Sequence, residues 1–283
     1  MSHGVIETLI HWEGLMIVSA SIFPHSPHLV PGLESERGLA KVKETVMAIE
    51  KRCQEIEASN LDTLIVISPH VSVEHPYQFL VNTGKYLQGN FERFGSFRMF
   101  KFQNDLAFID HIETGCASNE LPVLYEELPL DYGALVPLAF MAHHYHNSVV
   151  HVASSSLSLE YHYRFGETLG SACALNFRGN SMEKKRIGII ASGDLSHRIG
   201  EVSANELSNP GKEFDQRVLW ALSQKDINLL TSMRKEFMLE ADECGLRPIL
   251  VMLGMLHATE YSFETVSYEA PRGVGYLVGR LVG

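Results

Sequence analysis

Four short apolar runs rich in β-branched residues alternate along this chain with longer segments of helical periodicity. After the first run, Leu39, Val42, Val46, Ile49, Cys53 and Ile56 recur at the spacing of one helix face. Strands that alternate with helices in this way predict an α/β fold, whose central sheet is mostly parallel or mixed and is flanked by helices on both faces. The runs are LMIVSASIF (15–23), LDTLIVISPH (61–70), SVVHVASSS (148–156) and RIGIIASGDLSH (186–197).

The remaining apolar segments add strands and helices to this scheme. FLVNTG (79–84) and FRMFKF (97–102) read as strands that pair as a hairpin. Helices are predicted from about 211 to 257, and two closing strands follow them. With 283 residues, 45% of them hydrophobic, the chain can bury one large core. This length allows one large domain or two modest ones and does not decide between them; we expect a single domain over 16–283, preceded by a short N-terminal extension, 1–15.

Charge and cysteine usage limit the function classes. The formal net charge is −11, which argues against nucleic acid or an anionic membrane surface as a partner, because both require a basic surface. The four cysteines form no CxxC pair, and no apolar run has the length of a membrane-spanning helix or a signal peptide. These features indicate a cytoplasmic protein with free thiols that binds a small molecule or another protein.

Histidines follow three of the apolar runs directly. His25 lies in FPHSPH, His70 in ISPH and His197 in GDLSH. Because ligands of open α/β sheets bind beyond the carboxyl ends of the strands, these three imidazoles are expected to meet at one sheet edge. His28 either shares that site or lines it. A single histidine after a strand is more often structural, but three at equivalent positions favour a functional site.

Two or three imidazoles in one site indicate a first-row transition metal, whose identity depends on the remaining ligand. Glu243 is the best carboxylate, although an acid beside a helix start is also favoured by the helix dipole. Asp242 and Cys244 flank it as alternative ligands. Two histidines and one carboxylate leave open positions on Fe(II) for O₂ and a bidentate organic substrate. His197 would then be free for acid–base chemistry. Asp194 is near enough in sequence to orient it, with capping of the turn as the alternative role of this carboxylate.

Taken together, the ordered motifs resemble the class III extradiol ring-cleavage dioxygenases, the LigB-type catalytic subunits. The similarity is greatest to the branch associated with the AmmeMemoRadiSam system, near the Memo proteins, and it runs from about residue 17 to the C-terminus. The motifs are FPHSPHLVPG, ISPHVS, DYGALVPL, SGDLSHR, FDQRV, ECGLRPILVMLG and SYEAPRGVGYLVG.

The resemblance implies a LigB-like fold and an Fe(II) site held by His25, His70 and Glu243, with His197 as the acid–base residue. The implied reaction is ring opening of an aromatic vicinal diol, of catechol or protocatechuate type, or of an aminophenol, with O₂. Zinc or copper is the alternative metal. Relatives are commonly dimers or larger assemblies, so the resemblance also implies a homo-oligomer, and a second subunit is compatible with the acidic surface.

Two departures from the family pattern affect the substrate pocket and the metal. Tyr132 stands in DYG where many ring-cleaving members have histidine, and a phenol donates a hydrogen bond but is not a base near neutral pH. We expect Tyr132, His28, Ser154 and Cys244 to line the substrate pocket. In Memo-like relatives a cysteine lies near the metal at a similar CG.

This cysteine leaves a competing function open, namely a metal-binding protein with a His/His/Cys site, a redox or protein-interaction role and no ring cleavage. A third alternative is a retained fold without metal. A serine hydrolase is disfavoured, because no GxSxG motif is present.

Overall fold

The structure is a computed structural model that describes residues 17–70, 74–174, 184–200 and 209–282. The expected extension, 1–15, lies outside the described residues. The strands are β1 Ile17–Phe23, β2 Thr63–Ser68, β3 Phe79–Asn82, β4 Tyr86–Phe91, β5 Ser96–Gln103, β6 Val123–Glu126, β7 Ser148–Ala153, β8 Ile187–Ser192, β9 Glu264–Glu269 and β10 Tyr276–Val282. The helices are α1 Glu36–Leu39, α2 Lys43–Ala58, α3 Leu106–Ser118, α4 Tyr132–Met141, α5 Leu159–Ala174, α6 Pro210–Gln224, α7 Ile227–Thr231, α8 Lys235–Ala241 and α9 Leu246–Met255.

Eight of these strands form one mixed sheet in the order β6-β3-β7-β2-β8-β1-β10-β9. Its centre is parallel, because β7, β2, β8 and β1 all run in the same direction. The edges are antiparallel, where β3 pairs with β7 and β10 pairs with β1. The prediction of a mostly parallel or mixed α/β sheet is therefore confirmed.

Helices cover both faces of the sheet, so the central strands are buried at almost every position. On β2, Leu64 and Val66 point toward α2 and α4, whereas Ile65 and Ile67 point toward the layer that contains α3, α5 and α9. Strands buried on both faces read as continuous apolar runs, as these do. Among the described helices, none combines the length and apolarity that a membrane-crossing segment needs.

The small hairpin differs from the sequence prediction. FLVNTG was expected to pair with FRMFKF, but β3 instead joins the edge of the large sheet, between β7 and β6. The partner of β5 is β4, with Tyr86 opposite Gln103 and Gly89 opposite Phe100. The prediction was wrong because β4, YLQGNF, contains no β-branched residue and so gave only a weak strand signal.

Glycines allow α9 to pack closely against α5 and against the loop that follows β8. A Cβ at Gly254 would lie 2.1 Å from the carbonyl oxygen of Tyr163, so the backbones of α5 and α9 touch. A Cβ at Gly193 would lie 2.3 Å from the Cα of Gly245, so the loop after β8 contacts the start of α9. The ECG segment therefore lies directly against the GDLSH loop.

Candidate metal centre

The predicted convergence of imidazoles is seen for His25 and His70, which follow β1 and β2. Their ring centroids are 5.1 Å apart, and the ring of Tyr132, at the start of α4, lies 4.2 Å from that of His70 and 5.6 Å from that of His25. His70 Nε2 and His25 Nδ1 are buried and have no hydrogen-bond partner among the described residues. Burial also lowers the pKa of His70, which favours the neutral imidazole that binds a metal.

Gly133 gives His70 its space. A Cβ at this position would lie 2.8 Å from Cδ2 of His70 and 2.7 Å from Oδ1 of Asp131. The carbonyl oxygen of Gly133 also accepts a hydrogen bond from Ser192 Oγ at 2.5 Å, which ties α4 to β8. The glycine of DYG is therefore required by contact with the imidazole.

Cys244 lies on the other side of His25. Its Sγ is 3.7 Å from His25 Nε2 and accepts a hydrogen bond from the backbone N–H of Asp194 at 3.3 Å. Burial raises the pKa of this thiol well above its ordinary value, and the nearby carboxylates of Asp194 and Glu243 raise it further. Without a cation nearby, Cys244 is therefore a neutral thiol at neutral pH.

Glu243, the neighbour of Cys244, is engaged at the start of α9. Its Oε2 accepts a hydrogen bond from the backbone N–H of Leu246 at 2.8 Å, and its Oε1 lies 3.5 Å from Nη1 of Arg247. Its side chain is only 1% exposed, and burial raises its pKa. Both carboxylate oxygens thus have partners within α9, and among the described contacts none joins Glu243 to His25 or His70.

Asp194 connects the loops around the imidazole pair. Its Oδ1 accepts a hydrogen bond from the backbone N–H of His25 at 2.9 Å, and its Oδ2 lies 3.6 Å from His197 Nε2. The other ring nitrogen of His197, Nδ1, contacts the carbonyl oxygen of Asp242. The contact with the carboxylate of Asp194 is the main cause that raises the pKa of His197 to about 9, which favours the protonated ring at pH 7.

A second buried network, which sequence analysis missed, lies behind His70. Ser68 Oγ donates to Asp131 Oδ2 at 2.8 Å, and His151 Nε2 lies 3.0 Å from Ser68 Oγ and 3.3 Å from Asp131 Oδ2. Burial opposes ionisation of Asp131, but its contacts with His151, His70 and Ser68 prevail and lower its pKa. The sequence signal that could have indicated this network is His151, a histidine inside the apolar strand SVVHVA.

A cavity of about 430 Å³ opens beside His70. Tyr132 and Phe94, whose ring centroids are 5.5 Å apart, form an aromatic wall, and Asn90, Glu92 and Arg93 also line it. The volume is within the range of small-molecule sites. Three of these polar residues come from the tip of the β4–β5 hairpin, so the hairpin missed by sequence analysis contributes one side of the pocket.

His28 and Ser154 lie apart from the imidazole pair. The exposed ring of His28 bonds to Oε2 of Glu34 at 2.8 Å, and Arg272 binds the same oxygen at 2.9 Å. Ser154 is buried, its N–H donates to the carbonyl oxygen of Ser68 at 2.9 Å, and its hydroxyl has no partner among the described residues. Neither makes a hydrogen bond or ring contact with His25 or His70 in the described part of the chain.

The donor atoms fit a first-row transition metal, since two facing imidazoles with unpartnered buried nitrogens stand next to a thiol. Within the described ranges, no group of three or more His, Cys, Asp or Glu side chains is already arranged around one metal position. The described arrangement therefore brings together the imidazoles of His25 and His70 and the thiol of Cys244, whereas the carboxylate of Glu243 is turned to α9.

The fold and site define an α/β protein with a histidine-based centre at the carboxyl edge of its parallel strands. Residues 19–279 match the family described as the catalytic LigB subunit of aromatic ring-opening dioxygenase. The chain belongs to this family, which confirms the resemblance found in its motifs.

Two relatives extend the comparison. Protein CA_C1420 of Clostridium acetobutylicum is 30% identical in an alignment of 279 residues that covers 92% of this chain and 56% of the relative. The chain therefore spans just over half of that protein. The crystal structure of uncharacterized protein JW3007 from Escherichia coli K12 superposes with a TM-score of 0.64 at 15% identity, over 94% of this chain and 100% of that one. The second likeness shows the fold alone.

Proposed function

We propose that this chain is a non-heme Fe(II)-dependent extradiol dioxygenase that cleaves an aromatic vicinal diol, of catechol or protocatechuate type, or an aminophenol, with O₂. The observation that carries the proposal is that His70 belongs both to the imidazole pair and to the lining of the cavity. Its ring faces His25 at 5.1 Å and also lines the cavity of about 430 Å³. A metal bound by this imidazole would therefore be open to a molecule in the cavity.

In the dioxygenase, His25, His70 and Glu243 would hold the metal; Cys244 would replace Glu243 as the third protein ligand only in the alternative described below. Fe(II), when bound, would supply the one-electron chemistry that lets O₂ react with an aromatic ring. The protein's own contribution is to bind and orient the ring and to move protons.

The aromatic wall of the cavity suits a planar substrate. The rings of Phe94 and Tyr132 offer edge and face contacts to a catechol ring. Burial raises the pKa of Tyr132, so its phenol stays neutral and can donate a hydrogen bond to a substrate oxygen. Arg93 forms no hydrogen bond or ion pair with another described residue, so its guanidinium is available to a ring carboxylate of the protocatechuate type.

His197 and Asp194 are proposed to handle protons. The imidazolium of His197 is ready to donate a proton to the departing oxygen, because the carboxylate of Asp194 holds its pKa at about 9. Accepting the substrate hydroxyl proton requires the neutral ring, so this half of the role should strengthen as the pH approaches that value. Asp194 keeps the ring oriented throughout.

A second function is favoured by one contact. Cys244 Sγ lies 3.7 Å from His25 Nε2, while the carboxylate of Glu243 is engaged by Leu246 and Arg247. A His/His/Cys site selects a softer ion such as zinc or copper. We propose, as the alternative, a Memo-like metal-binding protein with a redox or protein-interaction role and no ring cleavage. For either function, we propose a homo-oligomer such as a dimer, with or without a second subunit.

The test is anaerobic metal analysis, followed by Fe(II) reconstitution and oxygen uptake with catechols, protocatechuate-like acids and 2-aminophenols. Stoichiometric iron, oxygen uptake and a yellow ring-opened product would support the dioxygenase. We expect loss of uptake in His25→Ala and slower uptake in His197→Ala. His144→Ala is the matched control, because His144 is exposed and lines no part of the cavity.

Two further variants separate the candidates. Under the dioxygenase proposal, Glu243→Gln loses iron and Cys244→Ser keeps it. Under the alternative, Cys244→Ser loses bound zinc or copper and Glu243→Gln keeps it. Bound zinc or copper with no oxygen uptake on any substrate of the panel would contradict the dioxygenase.

A further inference from the structure

Asp215, on α6, is a buried carboxylate that contacts the GDLSH loop. Its Oδ1 accepts a hydrogen bond from the backbone N–H of Ser196 at 2.8 Å, and its Oδ2 accepts one from the hydroxyl of Tyr268 at 2.7 Å. A Cβ at Gly275 would lie 1.9 Å from the same Oδ2. The carboxylate is therefore enclosed by the loop after β8, by β9 and by the residue before β10.

Ser196 links Asp215 to the backbone around His197. Its hydroxyl donates to the carbonyl oxygen of Ala241 at 2.8 Å and accepts from the backbone N–H of Arg198 at 2.9 Å. The N–H of His197 itself donates to the carbonyl oxygen of Ala241 at 3.1 Å. The hydroxyl of Ser196 thus bonds to both Ala241 and Arg198, and Ala241 also accepts the N–H of His197. These bonds fix the backbone of His197.

Asp215 is fully buried and forms no ion pair with another described residue, although the charge of His197 is near enough to act on it. A buried carboxylate without an ion pair costs free energy, and here burial raises its pKa to about 6. An apolar residue would fill this position at lower cost. A role in holding the loop explains why a carboxylate is used.

We infer that Asp215 is a positioning residue for His197, which it orients through Ser196 while Tyr268 holds the carboxylate in place. The inference deepens the proposed function, because it rests on His197 as the acid–base residue. It assigns a role to the aspartate of FDQRV and to the tyrosine of SYEAPRGVG, two motifs outside the imidazole centre.

The experiment is NMR titration of the His197 imidazole in the full-length, metal-free protein without substrate. We compare Asp215→Asn, Asp215→Leu and Tyr268→Phe with the parent, and we measure thermal stability in parallel. Asparagine removes the negative charge but keeps an acceptor for the Ser196 N–H, whereas leucine removes both. The difference between Asn and Leu therefore isolates positioning from the direct effect of the charge.

The pKa of His197 is about 9 in the parent. We expect it to fall in both variants of Asp215. The fall in Asp215→Leu should exceed that in Asp215→Asn by about one unit or more. Tyr268→Phe should produce a smaller fall in the same direction. The matched control is Asp105→Asn, because Asp105 is also buried and accepts hydrogen bonds, from Thr63 and Lys185, at the opposite edge of the sheet. This control variant should have a lower thermal stability and an unchanged pKa of His197.

Equal titration of His197 in the Asn and Leu variants, within about 0.3 units, would overturn the inference even if both are destabilised. If Asp215→Leu does not fold, Tyr268→Phe decides, and an unchanged His197 titration in that variant overturns it. The result is independent of ring cleavage, since no substrate is present. Should the parent show oxygen uptake, Asp215→Asn should also retain more of its kcat than Asp215→Leu at similar KM.

Discussion

The backbone N–H of His25 donates a hydrogen bond to Oδ1 of Asp194 at 2.9 Å, although 169 positions separate the two residues. The other oxygen of this carboxylate lies 3.6 Å from His197 Nε2. One buried aspartate therefore fixes the loop that carries His25 of the candidate metal centre and also favours the charged form of the proposed acid–base residue, His197.

Asp194→Asn should separate these effects. The amide keeps the shape and can still accept from the His25 N–H, but without the negative charge the pKa of His197 should fall from about 9 toward its ordinary value. We expect an unfolding free energy lower by about 1.5–3 kcal/mol, since a charge-assisted hydrogen bond is weakened. NMR titration and denaturant unfolding measure the two results. Asp242→Asn, which alters an exposed carboxylate, is the control, and an equal fall of the His197 pKa there would contradict the assignment.

Gly133→Ala should weaken metal binding. Alanine is normally favoured over glycine in a helix by about 1 kcal/mol, but here its Cβ would collide with the ring of His70 at 2.8 Å. We expect affinity for Fe(II) or Zn(II) to fall by about tenfold or more, as measured by competition with a chelator. Gly200→Ala is the control, because a Cβ there meets no atom within 4 Å. Unchanged affinity in Gly133→Ala would show that His70 does not bind the metal as proposed.

Glu243→Ala should destabilise the metal-free protein. The carboxylate accepts from the N–H of Leu246, the first residue of α9, and pairs with Arg247, so its loss removes a cap-like hydrogen bond and leaves the guanidinium without this partner. A cap contributes about 0.5–2 kcal/mol, and we expect a cost in this range by denaturant unfolding. The exposed Glu240 provides the control, Glu240→Ala. A cost that appears only in metal-loaded protein would instead indicate that Glu243 is a ligand and contributes nothing as a cap.

His162 should make stability depend on pH. It is buried between Ser155 and Ser158, its ring contacts that of Phe79 at 5.0 Å, and burial lowers its pKa to about 4. Because the unfolded chain binds a proton near 6.5, the stabilisation is complete above that pH and is lost as the pH falls toward 4. We expect a loss of about 3 kcal/mol from this residue.

The measurement is the unfolding free energy at pH 7 and pH 4 for the parent and for His162→Gln, which can bond the same backbone groups without titrating. The variant should lose less stability on acidification than the parent. His144→Gln, at an exposed imidazole, should follow the parent curve. Parallel curves for the parent and His162→Gln would rule out this contribution.

Several features of the site could be predicted from the sequence because they depend on local pattern. The apolar runs define strands, and residues that follow parallel strands must meet at one edge, so His25 and His70 could be placed together. The spacing of Asp194 and His197 within one loop likewise predicted their contact, seen at 3.6 Å. The family motifs gave the fold, which the match over residues 19–279 confirms.

Tertiary structure decided the features that depend on distant or directional contacts. The sequence predicted the wrong strand partner for the hairpin that supplies Arg93 and Phe94 to the cavity, because β4 has a weak strand pattern. His151 is hidden within an apolar strand, and only packing brings it to Asp131. Glu243 and Cys244 are adjacent in sequence, but their side chains point in different directions, one to the N-terminus of α9 and the other to His25. Pattern and spacing thus determined that His25 and His70 meet at one sheet edge, whereas packing and side-chain direction decided which other residues join them and what each contacts there.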